Sequence, residues 1–360
     1  MTAISKLHVR TVRNVGDISI HPNPGFNLLH GCNGSGKTSV LEAIHVLATG
    51  KSFRSNKLDL LVQHGANEML VFAELASGHK FGVSKSAKTV PHLKLDGDSV
   101  KNWESIARLL PLLVLDSNTF QLADGGPQVR RSFLDWGVFH VEPGFLANWR
   151  DVKRCIAQRN LLLKGRVFDA GQVSAWDEEF GQCAEYVDDS RKKYISMFSP
   201  IFSEIYTDLA PAMADRLSLS YSRGWDESKR LREILLENQG IDFKYGATQA
   251  GPHRAELLFR LGKDKATDVL SRGQLKVLVI ALKLAQGKLL NSLSSQRCTF
   301  LVDDLAAELD SVNRESVLAL LDSMGGQVFA TAVDKLDIES YLPSGVSQAT
   351  FHVERGIIKA

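Results

Sequence analysis

Residues 31–38 meet the phosphate-loop pattern G-x-x-x-x-G-K-[ST] at every fixed position: Gly31, Cys32, Asn33, Gly34, Ser35, Gly36, Lys37 and Thr38, with Ser39 directly after. The chemistry of such a loop is anion capture. Its glycines let the backbone turn tightly, and N–H groups at the start of the next helix converge on a phosphate. In this pattern Lys37 reaches the β- and γ-phosphates and the Thr38 hydroxyl holds Mg²⁺. Residues 26–30 before the loop read as a short buried strand, and the stretch from Ser39 onward reads as an amphipathic helix. A glycine-rich turn without a ligand is the bland alternative, and the strand–helix setting weighs against it. Binding of a nucleoside triphosphate is the implication.

Two carboxylates downstream extend the same chemistry. Residues 300–302 form an apolar strand pattern that runs into Asp303 and Asp304. An acid at that strand end holds the Mg²⁺ shell in phosphate-loop enzymes, so Thr38 and Asp303 are the expected metal ligands. Asp304 is placed to position a water, which makes Asp304 and Lys37 the expected catalytic residues. By themselves, adjacent acids at a strand end could be a solvated turn; the upstream loop tips the reading. A third segment, Ser271, Arg272, Gly273 and Gln274, opens a helix expected over 275–290. Ser271 suits a helix N-cap, Gly273 permits close backbone approach, and a helix N-terminus favours an anion. Alone this start would be a plain cap; in register with the other two motifs it reads as a second anion site.

Composition narrows the function classes. The chain has 360 residues, 44% of them hydrophobic, with a formal net charge of +2. No run approaches the roughly 18 apolar residues of a membrane span, so no membrane partner is expected. Residues 1–6 lack a signal-peptide core, and the expected location is the cytoplasm. Cys32, Cys155, Cys183 and Cys298 form no C-x-x-C pair, and the ten histidines show no H-x-x-x-H spacing, which argues against disulfide and zinc frameworks. With so weak a net field, any nucleic-acid affinity must come from a local basic patch.

The elements that must position these residues follow from periodicity. Strands are expected within 4–30, then a meander over 69–75, 80–84 and 92–95 with an Asp96-Gly97 turn, and a buried strand at 112–116. From about 127 to 240 the texture is helical: 130–140, 145–163, 174–209 and 226–238, with a turn over 165–171. Strands return at 256–261, 299–302, 327–330 and 349–353. The organisation expected is discontinuous, with a nucleotide-binding lobe from residues 1–126 and 241–360 and a helical lobe from 127–240.

The order of phosphate loop, Ser271–Gln274, Asp303-Asp304 and then Glu308 to Asp310 resembles the ABC-type ATPase heads. Within them the chain resembles the RecF family of bacterial recombination mediators over essentially its whole length. The carriers are Arg13-Asn14, residues 31–44, Gly50 to Arg54, Gly125 to Pro127, Arg130 to Gly137, Glu142 to Phe145, Gly251 to Arg254, Leu270 to Lys276 and Asp303 to Asp310. The resemblance implies an α/β fold: an ABC-type ATPase head, a P-loop NTPase with an antiparallel β subdomain, plus an inserted helical lobe. It implies ATP and Mg²⁺ as cofactors, with residues 31–39 binding ATP in one protomer and Ser271, Arg272, Gly273 and Gln274 reaching the partner's ATP in an ATP-dependent homodimer. It implies double-stranded and gapped or junction DNA as partner, RecR and RecO beside it, and RecA loading downstream. Lys51, Arg54 and Lys57, just after the first helix, are the basic residues expected to contact DNA phosphates. Arg130 and Arg131 read equally as DNA contacts or as structural braces.

Two departures stand out. The glutamine-loop role after residue 116 falls to Asn118 or Gln121, and residues 329–333 contain no switch histidine, which implies slow hydrolysis suited to a switch. Other readings meet specific obstacles. An SMC-like clamp of another repair pathway would insert a long heptad coiled coil, and residues 127–240, interrupted by Pro143, Gly165, Gly171 and Pro200, have no sustained heptads. A transporter subunit keeps its signature much nearer the phosphate loop than the 234 positions separating Lys37 from Ser271. A scaffold with a vestigial site would not need Lys37, Thr38 and Asp303 intact.

Overall fold

The computed structural model describes residues 2–55, 57–165 and 170–359. The chain divides into two compact units. The first comprises Met1–Phe120, Ile205–Ala210 and Arg272–Ala360; the second comprises Gln121–Glu204 and Pro211–Ser271. These limits fall at 120 and 272 rather than at 126 and 241.

Two six-stranded sheets build the first unit. One is antiparallel, made of β1 (Ile4–Val12), β2 (Val15–Ile20), β4 (Glu68–Leu75), β5 (Lys80–Ser86), β6 (His92–Leu95) and β7 (Asp98–Val100), in the order β2-β1-β4-β5-β6-β7. The other contains β3 (Phe26–His30), β8 (Leu112–Leu115), β12 (Thr299–Val302), β13 (Val328–Ala332), β14 (Gln348–Glu354) and β15 (Ile357–Lys359), in the order β15-β14-β3-β13-β12-β8. Its strands run parallel from β14 to β8, and β15 closes an antiparallel hairpin on β14. The central strands β3, β12 and β13 are apolar and buried almost without interruption, the pattern of a sheet covered on both faces.

The helix Lys37–Thr49 lies between the two sheets, packed against β1, β4 and β5 of one and β13 of the other. That is why Val40, Leu41, Ile44 and Leu47 are all buried and the helix has no wet face. Deleting the Leu47 side chain beyond Cβ would cost roughly 2–5 kcal/mol, because it is fully buried in the core. The turn at Asp96-Gly97 is a hairpin with both residues at positive φ, as the Asp-Gly pair requires.

The second unit is less purely helical than its periodicity indicates. Helices Pro127–Val141 and Phe145–Leu163 form as expected. The expected turn over 165–171 falls largely on 166–169, outside the described residues. Gly171 and Pro200, read as interruptions, both lie inside one 40-residue helix, Ala170–Leu209. A proline removes one backbone N–H; here Pro200 and Ser196, whose carbonyl loses that donor, are exposed so that water reaches the freed acceptor, while Phe198 and Phe202, stacked on each other, are buried on the opposite side of the helix. The helix expected over 226–238 begins only at Leu231, because the Asp226 carboxylate accepts from the Ser228 N–H and closes a turn instead. Residues 217–222 form strand β9 (Leu217–Ser222), which pairs with β10 (Glu256–Leu261) beside the short β11 (Asp264–Lys265).

Arg159 pins this unit from inside. Its Nε donates to Asp177 at 2.7 Å, and its Nη1 donates to Asp242 at 2.6 Å and to Thr248 Oγ1 at 3.0 Å. Arg130 and Arg131 serve as braces here. Arg130 makes a two-pronged pair with Glu256 at 2.8 and 2.9 Å, and Arg131 donates to the Ala255 carbonyl. Among the described residues, no helix is long and apolar enough to cross a membrane.

Candidate functional site

At the C-terminal ends of β3, β12 and β13 lies a cleft of about 700 Å³. Its lining includes Asn33 to Ser39, Asp303, Asp304 and Thr331, with Arg13, Arg54, Asp59 and His64 along the wall. The loop after β3 turns through Gly31, Gly34 and Gly36, all at positive φ. At Gly31 a side chain is impossible, since a Cβ would stand 2.2 Å from the Val353 carbonyl oxygen. The helix then begins at Lys37, and its first turn offers N–H groups with no acceptor inside the helix. These are the elements of an anion cradle.

The loop is also held from outside, by residues that spacing did not single out for this work. Asn14 donates from Nδ2 to the Gly34 carbonyl at 2.6 Å and accepts from Ser39 Oγ at 2.8 Å, so one amide ties both ends of the turn. The β14–β15 hairpin reaches in as well: the Gly356 N–H donates to the Ser35 carbonyl at 2.7 Å. Beside Asn14, Arg13 adopts a left-handed backbone and grips the buried Glu42 through Nε and Nη2 at 3.0 and 2.9 Å. The Arg13-Asn14 pair was legible as a family mark; its mechanical task was not.

Lys37 donates to the carbonyls of Gly31 and Cys32 at 2.6 and 3.0 Å, which places its ammonium at the loop's mouth. Burial pushes its pKa down, opposed by the nearby Asp304 and Asp303. Thr38 donates from its hydroxyl to Asp303 Oδ1 at 2.9 Å, so the two expected metal ligands meet although they lie far apart in sequence. Burial pushes the Asp303 carboxyl up, against the hydrogen bonds from Thr331 and Thr38 that favour its charged form. A hydroxyl and one carboxylate are hard oxygen donors suited to Mg²⁺, which is held by one or two carboxylates together with substrate phosphates. A cation there would offset the cost of burying Asp303.

Asp304 follows in the left-handed region at φ 52°, lining the cleft and preceding the short helix Leu305–Glu308. For a non-glycine residue this conformation costs on the order of 1–3 kcal/mol, and it persists where surroundings enforce it. Thr331, which the sequence did not reveal, meets this turn: its hydroxyl accepts from the Asp304 N–H at 2.9 Å. It stands in the segment 329–333 that lacks a histidine.

Other expected residues lie elsewhere. Ser271, Arg272, Gly273 and Gln274 do not line the cleft; Ser271 is exposed directly before the helix Arg272–Leu293. Asn118 donates to Asp116 and to the Phe53 carbonyl, and neither Asn118 nor Gln121 lines the cleft. Lys51, Arg54 and Lys57 are all exposed, but Arg54 faces the cleft and the other two do not line it. Cys32 is exposed within the loop. Asp310 is engaged as the cap of the helix Ser311–Ser323, accepting from the Asn313 N–H.

A family model described as RecF/RecN/SMC N terminal domain matches residues 3–352. The chain is 41% identical to the DNA replication and repair protein RecF of Pseudomonas entomophila (strain L48), over 99% of its own length and 98% of the relative's. It is 40% identical to RecF of Pseudomonas syringae pv. syringae (strain B728a) over the same shares. A solved structure of the recombination mediator protein RecF with ATP, of the RecFOR pathway, has a similar fold: TM-score 0.85 at 22% identity, covering 99% of this chain and 97% of that one. An Smc head bound to the C-winged helix domain of ScpA has a TM-score of 0.61 at 17% identity, covering 99% and 96%. A full-length match to the family model and near-complete coverage at about two-fifths identity agree with the cleft and its motifs: the chain belongs to the RecF family of DNA replication and repair proteins.

Proposed function

We propose that this protein is an ATP-dependent, DNA-binding recombination mediator that uses slow ATP hydrolysis as a switch. The observation that carries the reading is the 2.9 Å contact between Thr38 and Asp303 at the mouth of the glycine loop. It brings together the two ligands that a Mg²⁺–nucleotide needs. ATP lies with its phosphates on residues 31–39. Mg²⁺ is held by Thr38 and Asp303 and supplies charge neutralisation on the phosphates. Lys37 steadies the phosphoryl oxygens and Asp304 positions water.

The signature segment Ser271–Gln274 stands outside the cleft, which supports a role toward a second copy of the chain. ATP then joins two protomers. The dimer engages double-stranded, gapped or junction DNA through phosphate contacts, with Lys51 and Lys57 as candidate contacts and Arg54 shared with the nucleotide side. The family's place in replication and repair, and the RecFOR pathway of the structurally similar mediator, support RecR and RecO as partners and RecA loading as the outcome.

The test mixes two defective chains. Lys37→Met removes the loop's cation, and Ser271→Arg puts a bulky cation where the partner's γ-phosphate would sit. Each alone should neither dimerise with ATP nor hydrolyse it, while Ser271→Arg still binds ATP as a monomer. Their mixture holds one complete composite site and should recover part of the turnover. Normal ATP-driven dimerisation of Ser271→Arg, with only the roughly 1 kcal/mol stability loss of a missing cap, would refute the composite site.

A further inference from the structure

Thr331 sits at the C-terminal end of β13, in register with Leu29 of β3 on one side, with β12 and its terminal acids on the other. Its side chain is buried and makes two hydrogen bonds. The Asp304 N–H approaches its oxygen at 2.9 Å, and its oxygen lies 2.8 Å from Asp303 Oδ1. A hydroxyl has one proton and two lone pairs. The amide can only donate, so Thr331 accepts from Asp304 and must spend its single proton on Asp303. Thr38 donates to the same Oδ1. Two hydroxyl protons thus converge on one carboxylate oxygen, and Asp303 Oδ2 has no hydrogen-bond partner among the described residues.

We infer that Thr331 is the positioning residue of the acid pair: one buried hydroxyl orients Asp303 toward the metal position and locks the left-handed turn that aims Asp304 into the cleft. The inference rests on the ATPase reading above. Thr331 touches neither nucleotide nor metal in this role; it acts through the two acids. The alternative is that Thr331 merely packs in the strand. The two roles differ because valine has the same shape and no hydroxyl.

Thr331→Val, Thr331→Ser and Thr331→Ala separate them, measured beside the wild type in three ways. Titration with a fluorescent ATP analogue in EDTA reads the glycine loop alone, the same titration in Mg²⁺ reads the metal's added affinity, and steady-state hydrolysis reads kcat and KM. Losing a buried hydrogen bond and stranding its partners should cost roughly 5- to 150-fold where the pair matters. Thr331→Val should therefore keep the EDTA affinity, lose several-fold of the Mg²⁺ gain, and lose at least about 10-fold in kcat with KM within about 3-fold. Thr331→Ser should recover both quantities despite a lower Tm. If the valine chain does not fold, serine against alanine decides, since both leave a similar gap and only one keeps the hydroxyl. A valine chain with wild-type Mg²⁺ gain and kcat, or serine as defective as alanine, overturns the inference and leaves the ATPase reading intact. A wild-type chain that neither binds nor hydrolyses ATP overturns both.

Discussion

Lys276 and Glu308 form an ion pair at 2.6 Å, tying the helix that begins at Arg272 to the short helix after the acid pair. The lysine also lies over the Phe120 ring, 5.2 Å from its centroid, and both partners are largely shielded. The helix that carries the segment proposed to face the second protomer is thereby fixed to the turn that follows the acid pair. Reversing either charge, as Lys276→Glu or Glu308→Lys, should weaken ATP-driven dimerisation by roughly 5- to 100-fold, the scale of a shielded charge pair. Monomeric ATP binding should stay near wild type. The double exchange should restore most of the loss, and sedimentation with ATP checks it. Failure of the exchange to restore dimerisation would reduce the pair to a local contact.

The two acids should separate by function. Asp303→Asn removes a metal ligand and should weaken Mg²⁺-dependent ATP affinity. Asp304→Asn should keep that affinity and lower turnover by about 100-fold or more, the usual scale for a residue that manages the attacking water. A trapped ATP-bound dimer of the Asp304 variant is the expected product. Normal turnover in that variant would remove Asp304 from the mechanism.

DNA affinity should fall linearly with salt on logarithmic axes, because binding to phosphates releases counterions. Reversing the charge of Lys51 or Lys57 should reduce the magnitude of that slope by about one for each phosphate no longer neutralised, alike across sequences. Arg54 is expected to behave differently, since it lines the nucleotide cleft. Its reversal should weaken ATP binding as well, and an unchanged salt slope there would assign it to the nucleotide alone.

His45 offers a pH test of packing. Burial pushes its pKa down to about 4, against a hydrogen bond to the Lys51 carbonyl. The unfolded chain binds a proton there below about pH 6.5, while the folded chain resists it until about pH 4. The stabilisation is therefore complete above pH 6.5 and is lost as pH falls toward 4, by about 1–3 kcal/mol. The Tm of the wild type should drop more steeply than that of His45→Asn between pH 7 and 4.5. Parallel curves would show that His45 titrates normally.

Much of the site was legible before any fold was known. The glycine loop, Lys37, Thr38 and the Asp303-Asp304 strand end each depend on neighbours within a few residues, so local spacing carries the chemistry. The strands β3, β10 and β12 and the helix Phe145–Leu163 were legible for the same reason, since apolar periodicity is written residue by residue. Tertiary structure decided what depends on distant partners. Strand β9 exists because β10 offers it a ladder, and the helix runs on through Pro200 because the proline sits on its exposed side while Phe198 and Phe202 are buried on the other. Asn14, Gly356 and Thr331 acquire their tasks only when separate strands bring them to the loop and to the acids. A hydrogen bond has no preferred sequence separation. Only the path of the chain determines which buried amide meets which hydroxyl, and no local pattern of residue types encodes that meeting.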